Sequence, residues 1–123
     1  MNSVFFFFFS FRLPERVPTG HEQTGLRPCL LIADLGQYQQ LNYPMLLMVP
    51  ITSTLLQSGL LRIRLEAGWG GLEQAGTILL DQLTSIDVSR LRGSFGKLTE
   101  EQLAPVRTGL KTIFEFVDEI PSI

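Results

Sequence analysis

Residues 45–52 read MLLMVPIT, an almost wholly apolar stretch with polar segments on either side. This length is short for a buried helix but common for a buried strand. The stretch therefore predicts a strand inside a sheet, and Pro50 predicts a bulge or an edge at its position. Other short apolar or alternating runs lie on both sides of it. They are residues 28–33 (PCLLIA), 60–66 (LLRIRLE), 76–83 (GTILLDQL) and 91–98 (LRGSFGKL).

The C-terminal part of the chain has a helical period in place of these short runs. Its apolar residues recur on one helical face. They are Leu103, Val106, Leu110, Ile113, Phe114 and Val117. Thr99 and Gln102 have the spacing of a capping box, and Pro105 predicts a kink or a helix that begins near it. Several strands followed by one helix predict a small, strongly curved β-barrel with the helix packed on it.

The charge of the chain is small and unevenly distributed. Ten Lys and Arg residues and twelve Asp and Glu residues give a net charge of −2, which argues against binding nucleic acid by bulk electrostatics. Residues 99–123 hold two basic and five acidic residues, so the rest of the chain can carry local cationic patches. A single cysteine, Cys29, excludes an intrachain disulfide, and a single histidine argues against a zinc site. We therefore expect no metal, no cofactor and a reducing cytoplasm as the setting.

The N-terminal segment is rich in phenylalanine, because residues 4–11 read VFFFFFSF. The run is much shorter than the about 20 apolar residues of a transmembrane helix. The three residues before it lack the cationic start of a signal peptide, so we expect no membrane association. Three interpretations remain open: a buried or half-buried strand, an N-terminus altered by frame slippage or a misplaced start, and a secretion segment. The high strand propensity of phenylalanine supports the first.

Three motifs occur in order along the chain. They are residues 20–28 (GHEQTGLRP), 49–53 (VPITS) and 81–87 (DQLTSID). They resemble the GxEQxGxRP, P-V/I-T-S/T and DQ-x-R/K/T-S/T-ID signatures of the MazF/PemK toxins, and the first has the histidine of the PemK branch. The resemblance covers residues 20–116, and three moderately specific motifs in the usual order argue against chance. Family members usually open with a strand reading like GD-I/V-W/Y-x-V/A, which nothing before Thr19 matches.

The resemblance implies a fold, an activity and partners. The implied fold is mainly β with a C-terminal helix, a small SH3-like curved β-barrel. Residues 20–117 would be the toxin domain, 1–19 an atypical Phe-rich segment and 118–123 a tail. The implied activity is metal-independent, sequence-specific cleavage of single-stranded RNA through the neighbouring 2′-hydroxyl, which leaves a 2′,3′-cyclic phosphate and a 5′-hydroxyl. The implied partners are single-stranded mRNA, a second copy in a homodimer, and a MazE-like antitoxin together with which such toxins bind DNA.

The resemblance also assigns catalytic roles. Arg27 would meet the negative charge of the phosphorane oxygens, and Thr52 would donate its hydroxyl to a phosphate oxygen. Asp81 matches the general base of the PemK branch, and Glu22 would orient Arg27 or act as a base. That branch also has an arginine two residues before this aspartate, where the present chain has Leu79, so we expect Arg27 to carry the cationic role alone. Structural roles in loops and at strand ends are the alternative for each residue.

A second set of residues is predicted to contact RNA. It comprises His21, Gln23, Ser53, Gln82, Arg62 and Arg64. The two arginines lie on the polar face of one alternating strand, where a merely solvated surface is the alternative. The histidine could contact RNA, assist proton transfer or simply be solvated. Trp69, in a glycine-rich turn, is predicted to pack or to lie in an interface.

Two other functions are compatible with the sequence. One is a non-catalytic remnant of such a toxin that only dimerises or binds antitoxin, which the unmatched first strand favours. The other is a small SH3-like peptide-binding module, which would need an exposed aromatic groove. The presence of Arg27, Thr52 and Asp81 favours the endoribonuclease over both.

Overall fold

A computed structural model describes residues 6–12, 26–32 and 44–118 of the chain. Within these ranges the chain forms seven strands followed by one α-helix. They are β1 (Phe6–Arg12), β2 (Leu26–Ile32), β3 (Met45–Thr52), β4 (Arg62–Leu65), β5 (Gly76–Leu79), β6 (Thr84–Asp87), β7 (Leu91–Lys97) and α1 (Glu100–Asp118). This order confirms the predicted mainly β fold with a C-terminal helix.

The strands form one antiparallel sheet. Along the sheet their order is β4-β5-β3-β2-β1-β7, and β6 pairs with β3. β1 lies between two partners, because Phe8 pairs with Leu30 of β2 on one side and with Gly96 of β7 on the other. Phe6–Arg12, the described part of the Phe-rich segment, is therefore an interior strand, which confirms that this part forms a strand, and the predicted burial of its side chains stays a prediction. Among the described residues no pairing joins β4 to β7, so closure into a barrel stays a prediction.

β3 is the central strand because it has partners on both edges. One edge pairs with β2, and the other pairs first with β6 and then with β5. Between the pairs Met48–Thr84 and Ile51–Ile78, two residues of β3 lie opposite five residues of the segment that joins β5 to β6. The extra residues leave the sheet as a 3-10 turn, Leu80–Gln82. Such an insertion bends the strand and re-aims its side chains, as a β-bulge does.

This turn corrects the prediction of an unbroken strand over residues 76–83. The strand ends at Leu79, and β6 follows, which the sequence pattern did not predict. Pro50 lies in β3 opposite the break. Because proline has no N–H to donate to a ladder, a position beside a bulge suits it. Pro50 itself pairs with Cys29 in regular register, so the bulge predicted at Pro50 is not found in β3, and the insertion lies in the opposing segment, residues 79–83.

Two apolar clusters lie on opposite faces of the sheet. The larger is packed between the sheet and α1, and its buried members are Leu30, Val49, Ile51, Ile63, Leu65, Leu72, Ile78, Leu80, Leu98, Leu103, Val106 and Leu110. The smaller consists of Cys29, Leu31, Leu46, Met48 and Ile86. Alternate residues of β2 and β3 belong to different clusters, as the period of a strand requires. The cysteine is fully buried, as expected for a small hydrophobic side chain.

α1 begins with the predicted capping box. The Thr99 N–H donates to Gln102 Oε1 at 3.0 Å, and the Gln102 N–H donates to Thr99 Oγ1 at 3.2 Å. Three residues of the predicted apolar face are buried, namely Leu103, Val106 and Leu110. Pro105 lies inside the helix rather than at its start, because the helix already begins at Glu100.

Phe114 was predicted to belong to the buried face of α1, and this prediction is wrong. Its side chain is 52% exposed. At about 100° per residue, Phe114 lies about 80° around the helix axis from Val106, at the margin of the apolar stripe. Ile113 is almost in line with Val106 and packs against the larger cluster. The side chain of Val117 lies outside the described part of the structure.

α1 packs closely against Leu60 and Leu80 at Gly109, which is buried. A Cβ atom at this position would lie 2.6 Å from the carbonyl oxygen of Leu60 and would collide with Cδ1 of Leu80. The absence of a side chain therefore lets the helix rest on the first residue of the 3-10 turn. That turn also contains Asp81, so the helix supports the turn from the core side.

Candidate functional site

A row of polar residues crosses the sheet on the face opposite α1. Thr52, at the end of β3, pairs with Thr77 of β5, and Thr77 pairs with Arg64 of β4. Residues directly opposite one another in an antiparallel pair share a face. The next residues along these strands are three isoleucines of the larger cluster, so the polar row points away from the helix.

Arg27 extends this row onto β2. The pairing of β2 with β3 includes Cys29 opposite Pro50. Continued by two residues in the same register, it sets Arg27 opposite Thr52, on the same face. The Arg27 side chain is exposed. We call Arg27, Thr52, Thr77 and Arg64 the polar row.

The hydroxyl of Thr52 is oriented by the backbone that follows it. Thr52 Oγ1 accepts a hydrogen bond from the Thr54 N–H at 3.1 Å. Because this bond uses a lone pair of the oxygen, the hydroxyl hydrogen can still donate, as a contact with a phosphate oxygen requires. Thr52 is half-buried, whereas Ser53 is exposed in the bend after β3.

Asp81 lies in the 3-10 turn between β5 and β6 and is paired with an arginine of the neighbouring strand. Nη2 of Arg62 lies 3.5 Å from Oδ2 of Asp81, and the two side chains are 42% and 38% exposed. Arg62 begins β4 and pairs with Leu79 of β5. Gln82, in the same turn as Asp81, is exposed.

This ion pair bears on the expectation that Arg27 supplies the cationic role alone. That expectation rests on Leu79, which stands where the PemK branch has an arginine. In the structure the residue opposite Leu79 is Arg62, and its guanidinium reaches the carboxylate of Asp81. A second guanidinium is therefore present beside Asp81. Sequence spacing alone did not indicate it, because the pairing of β4 with β5 is a tertiary contact.

Arg64, at the end of the polar row, is half-buried. Its Nε atom is buried and has no hydrogen-bond partner among the described residues. A buried N–H without a partner has an unfavourable free energy, which an anion bound to the guanidinium would offset. Both strand arginines are thus more enclosed than a simply solvated strand face would be.

Thr77 is the buried polar member of the row, and the motifs did not include it. Its side chain is 0% exposed. Thr77 Oγ1 donates to the carbonyl oxygen of Thr54 at 3.0 Å and accepts from the Leu56 N–H at 3.1 Å. The only signal in the sequence is a threonine inside an otherwise apolar run, which gives no indication of these contacts.

Three predicted site residues, His21, Glu22 and Gln23, lie outside the described ranges, so their roles stay predictions. Trp69 is half-buried and packs against the larger cluster, in agreement with a packing role. Among the described residues, no group of three or more His, Cys, Asp or Glu side chains is placed to hold a metal ion. In the same part of the chain, no helix has the length and apolar character needed to cross a membrane.

The chain also matches a known protein family. Residues 10–114 match the family model of the PemK-like, MazF-like toxins of type II toxin–antitoxin systems. The chain belongs to this family. The match begins inside β1 and continues into α1, and it confirms the resemblance on which the MazF/PemK assignment rests.

Solved structures of two MazF toxins and of a Mycobacterial endoribonuclease share the fold. The Mycobacterium tuberculosis toxin MazF-mt6 has a TM-score of 0.66 and 18% identity, over 88% of this chain and 95% of that chain. MazF (Form-I) from Deinococcus radiodurans has a TM-score of 0.65 and 23% identity, over 89% and 93%. An endoribonuclease in complex with its cognate antitoxin, from a Mycobacterial species, has a TM-score of 0.62 and 15% identity, over 94% and 95%. At these identities the structures show a common fold. A search of curated protein sequences finds no match.

Proposed function

We propose that this MazF/PemK family member is a sequence-specific endoribonuclease that cuts single-stranded mRNA without a metal ion. The 2′-hydroxyl next to the scissile phosphate attacks phosphorus, and the bond to the 5′-oxygen breaks. The products carry a 2′,3′-cyclic phosphate and a 5′-hydroxyl. Because DNA has no 2′-hydroxyl, this chemistry restricts the enzyme to RNA.

The observation that carries the proposal is the polar row together with the Arg62–Asp81 pair on one face of the sheet. The row has a hydroxyl donor in its middle and a guanidinium at each end. Three strand spacings of about 4.8 Å separate the two end strands, so Arg27 and Arg64 can contact different phosphates of one RNA strand. Arginine suits this task because its planar guanidinium binds two phosphate oxygens at once.

The 2′-hydroxyl and the phosphate oxygens then have partners among these residues, and the departing 5′-oxygen takes its proton from water or from His21, which was predicted to assist proton transfer. The Asp81 carboxylate takes the proton of the attacking 2′-hydroxyl, and Arg62 orients that carboxylate and balances its charge. Arg27 stabilises the negative charge that develops on the phosphorane oxygens. Thr52 donates its hydroxyl hydrogen to a phosphate oxygen.

The remaining predicted residues complete the proposed RNA site. Glu22 orients Arg27 or serves as a base, and the residues that contact RNA are His21, Gln23, Ser53, Gln82, Arg62 and Arg64. A phosphate oxygen at Arg64 would give its buried Nε the hydrogen-bond partner that the described residues do not provide.

The proposed partners are a MazE-like antitoxin and a second copy of the chain in a homodimer, and the toxin–antitoxin complex would bind DNA. Two structural neighbours support an antitoxin partner. One is an endoribonuclease in complex with its cognate antitoxin, and the other is the MazE–MazF complex (Form-II) from Deinococcus radiodurans. The proposed site of action is the cytoplasm, where mRNA is translated.

The test is cleavage of a long single-stranded RNA by the purified protein in the presence of EDTA. We expect defined cut sites with 5′-hydroxyl ends, and no cut where the mapped nucleotide is replaced by its 2′-deoxy form. Arg27→Ala should lower the rate by about 10²-fold, as the loss of an oxyanion donor does. Lys111→Ala, an exposed cation on the helix, is the matched control and should cut normally.

Other outcomes would contradict parts of this proposal. Activity that disappears in EDTA and returns with a divalent ion would exclude the metal-free mechanism. An Arg27→Ala variant that cuts normally would leave Arg27 with a structural role. A folded protein that binds antitoxin but cuts no RNA would support the second candidate, a non-catalytic remnant of the toxin.

A further inference from the structure

The hydroxyl of Thr52 depends on the backbone of Thr54 for its orientation. Thr52 Oγ1 accepts a hydrogen bond from the Thr54 N–H at 3.1 Å, and this bond is exposed to solvent. A local bond between a threonine side chain and the nearby backbone competes with water and is weak on its own. It can hold Thr52 in one rotamer only if the backbone of Thr54 is itself fixed.

Thr77 of β5 fixes that backbone from the buried side. Its Oγ1 donates to the Thr54 carbonyl oxygen at 3.0 Å and accepts from the Leu56 N–H at 3.1 Å. The Thr77 side chain is 0% exposed, so solvent does not reach its hydroxyl, and the single donor of that hydroxyl is used. The two bonds hold the peptide groups on both sides of Leu55, in a segment that belongs to no helix or strand.

The residue before Thr77 limits the movement of the Thr52 backbone. A Cβ atom on Gly76 would lie 2.7 Å from the carbonyl oxygen of Thr52 and 3.1 Å from Cγ2 of Ile51. The glycine therefore lets β5 lie closer to the end of β3 than a residue with a side chain would. Two consecutive residues of β5 thus act on Thr52. Gly76 acts on its backbone, and Thr77 acts on its side chain through Thr54.

We propose that Thr77 is a positioning residue for RNA cleavage, which keeps the Thr52 hydroxyl aimed at the phosphate by holding Thr54. This inference rests on the proposed cleavage, in which Thr52 donates its hydroxyl hydrogen to a phosphate oxygen. Thr77 does not contact RNA. Without its hydroxyl, the Thr54 carbonyl loses its partner, the segment adopts other conformations, and the Thr52 side chain can rotate away from the phosphate. Arg27 still binds the RNA in that case, so the loss falls on the chemical step.

The experiment compares Thr77→Val, which keeps the shape of the side chain but lacks the hydroxyl, with Thr77→Ser, which keeps the hydroxyl. Cleavage of a short labelled RNA at several concentrations gives kcat and KM. Thr77→Val should lower kcat about tenfold and change KM less than about twofold, because charge on the phosphate oxygens grows in the transition state. Thr77→Ser should restore most of kcat. Thr112→Val, which removes a hydroxyl that donates to the Thr108 carbonyl of α1, is the matched control and should cut like the parent protein.

A double variant separates positioning from a general loss of structure. If Thr77 acts only through Thr52, a protein with both Thr52→Val and Thr77→Val should be no slower than Thr52→Val alone. The second change then removes an interaction that the first has already removed. Losses of kcat that multiply in the double variant would overturn the inference, and so would a Thr77→Val variant that cuts as fast as the parent protein.

Amide hydrogen exchange measures the hold on Thr54 without any RNA. The Thr54 N–H should exchange about tenfold faster in Thr77→Val than in the parent protein, and near the parental rate in Thr77→Ser. If Thr77→Val does not fold, the parent protein and Thr52→Val decide the question. The Leu56 N–H should be protected in both, because Thr77 still binds it, and the Thr54 N–H only in the parent. A Leu56 N–H that exchanges in the parent as fast as in an unfolded peptide would overturn the inference.

The outcomes distinguish this inference from the proposed cleavage. A parent protein that cuts no RNA, with the expected exchange rates, would overturn the proposed cleavage and support the hold of Thr77 on Thr54. A parent protein that cuts, with the same Thr54 exchange rate in Thr77→Val, would overturn the inference and leave the proposed cleavage supported.

Discussion

The side chains of Arg62 and Asp81 meet at 3.5 Å although 19 positions separate them in the sequence. Both are more than a third exposed, so water screens the pair and its contribution to the free energy of unfolding is about 0–1 kcal/mol. What the pair controls is the orientation of the Asp81 carboxylate on the polar face. Removal of either partner should therefore affect RNA cleavage much more than stability.

Arg62→Gln should lower kcat for RNA cleavage by about tenfold or more, and Asp81→Asn should lower it further. The double variant should be no slower than Asp81→Asn alone, because the two side chains act as one unit. Cleavage of a short labelled RNA measures the rates, and thermal unfolding should show Tm changes below about 4 °C. Arg92→Gln is the control, since this exposed arginine bonds the Leu91 carbonyl instead. Losses that add in the double variant would show that Arg62 and Asp81 work independently.

Among individual residues, Arg27, Thr52 and Asp81 could be singled out from the sequence because each lies in a motif of a few consecutive positions, and their catalytic roles stay predictions. The contacts of Thr77 and Arg62 could not be predicted in this way. They depend on the register of β3, β4 and β5, which brings distant positions side by side. The local sequence pattern around a strand residue does not indicate which residue of the neighbouring strand pairs with it.

The junction between β5 and β6 is the element that places Asp81, and its support comes from the helix. Gly109 of α1 lies against Leu60 and Leu80, the residue that begins the 3-10 turn. The predicted strands β2, β3 and β7 and the capping box were recognisable from local apolar runs and spacing. The 3-10 turn and β6 were not recognisable. They arise because two residues of β3 lie opposite five residues of the neighbouring segment between the pairs Met48–Thr84 and Ile51–Ile78.

Gly109→Ala tests this support. Helix propensity alone favours alanine by about 1 kcal/mol, but overpacking costs about 1–3 kcal/mol, and the added Cβ would lie 2.6 Å from the Leu60 carbonyl oxygen. We therefore expect a Tm lower by about 4 °C or more and slower RNA cleavage, because the turn with Asp81 must move. Gly59→Ala, where a Cβ meets no atom within 4 Å, should change neither. A Gly109→Ala variant as stable and active as the parent would show that α1 can shift without effect on the turn.

Across the whole molecule, β1 joins β7 to the rest of the sheet. It pairs with β2 along all seven of its residues and with β7 along most of them. Without β1, both β2 and β7 would expose unpaired N–H and C=O groups, which favour association with other chains. The Phe-rich strand β1 therefore pairs the edges of β2 and β7 that would otherwise be unpaired.

Phe8→Pro should disturb this position, because Phe8 has a partner on each side and proline cannot donate to a ladder. We expect a lower soluble yield and a Tm reduced by about 4 °C or more. Phe8→Val, which keeps the N–H and a good strand propensity, is the control and should remain soluble. Equal yield and Tm for the two variants would mean that β1 is not held between β2 and β7.

The place of β1 in the sheet also governs when the protein can fold. Phe7 pairs with Lys97, so β1 meets its second partner only after the other described strands of the sheet have been synthesised. Contacts between such distant positions slow folding, and a nascent chain that waits for them exposes apolar surface to chaperones and to other chains. We therefore expect this toxin to complete its fold after translation rather than during it. A cell that makes the chain would have an interval between synthesis and activity.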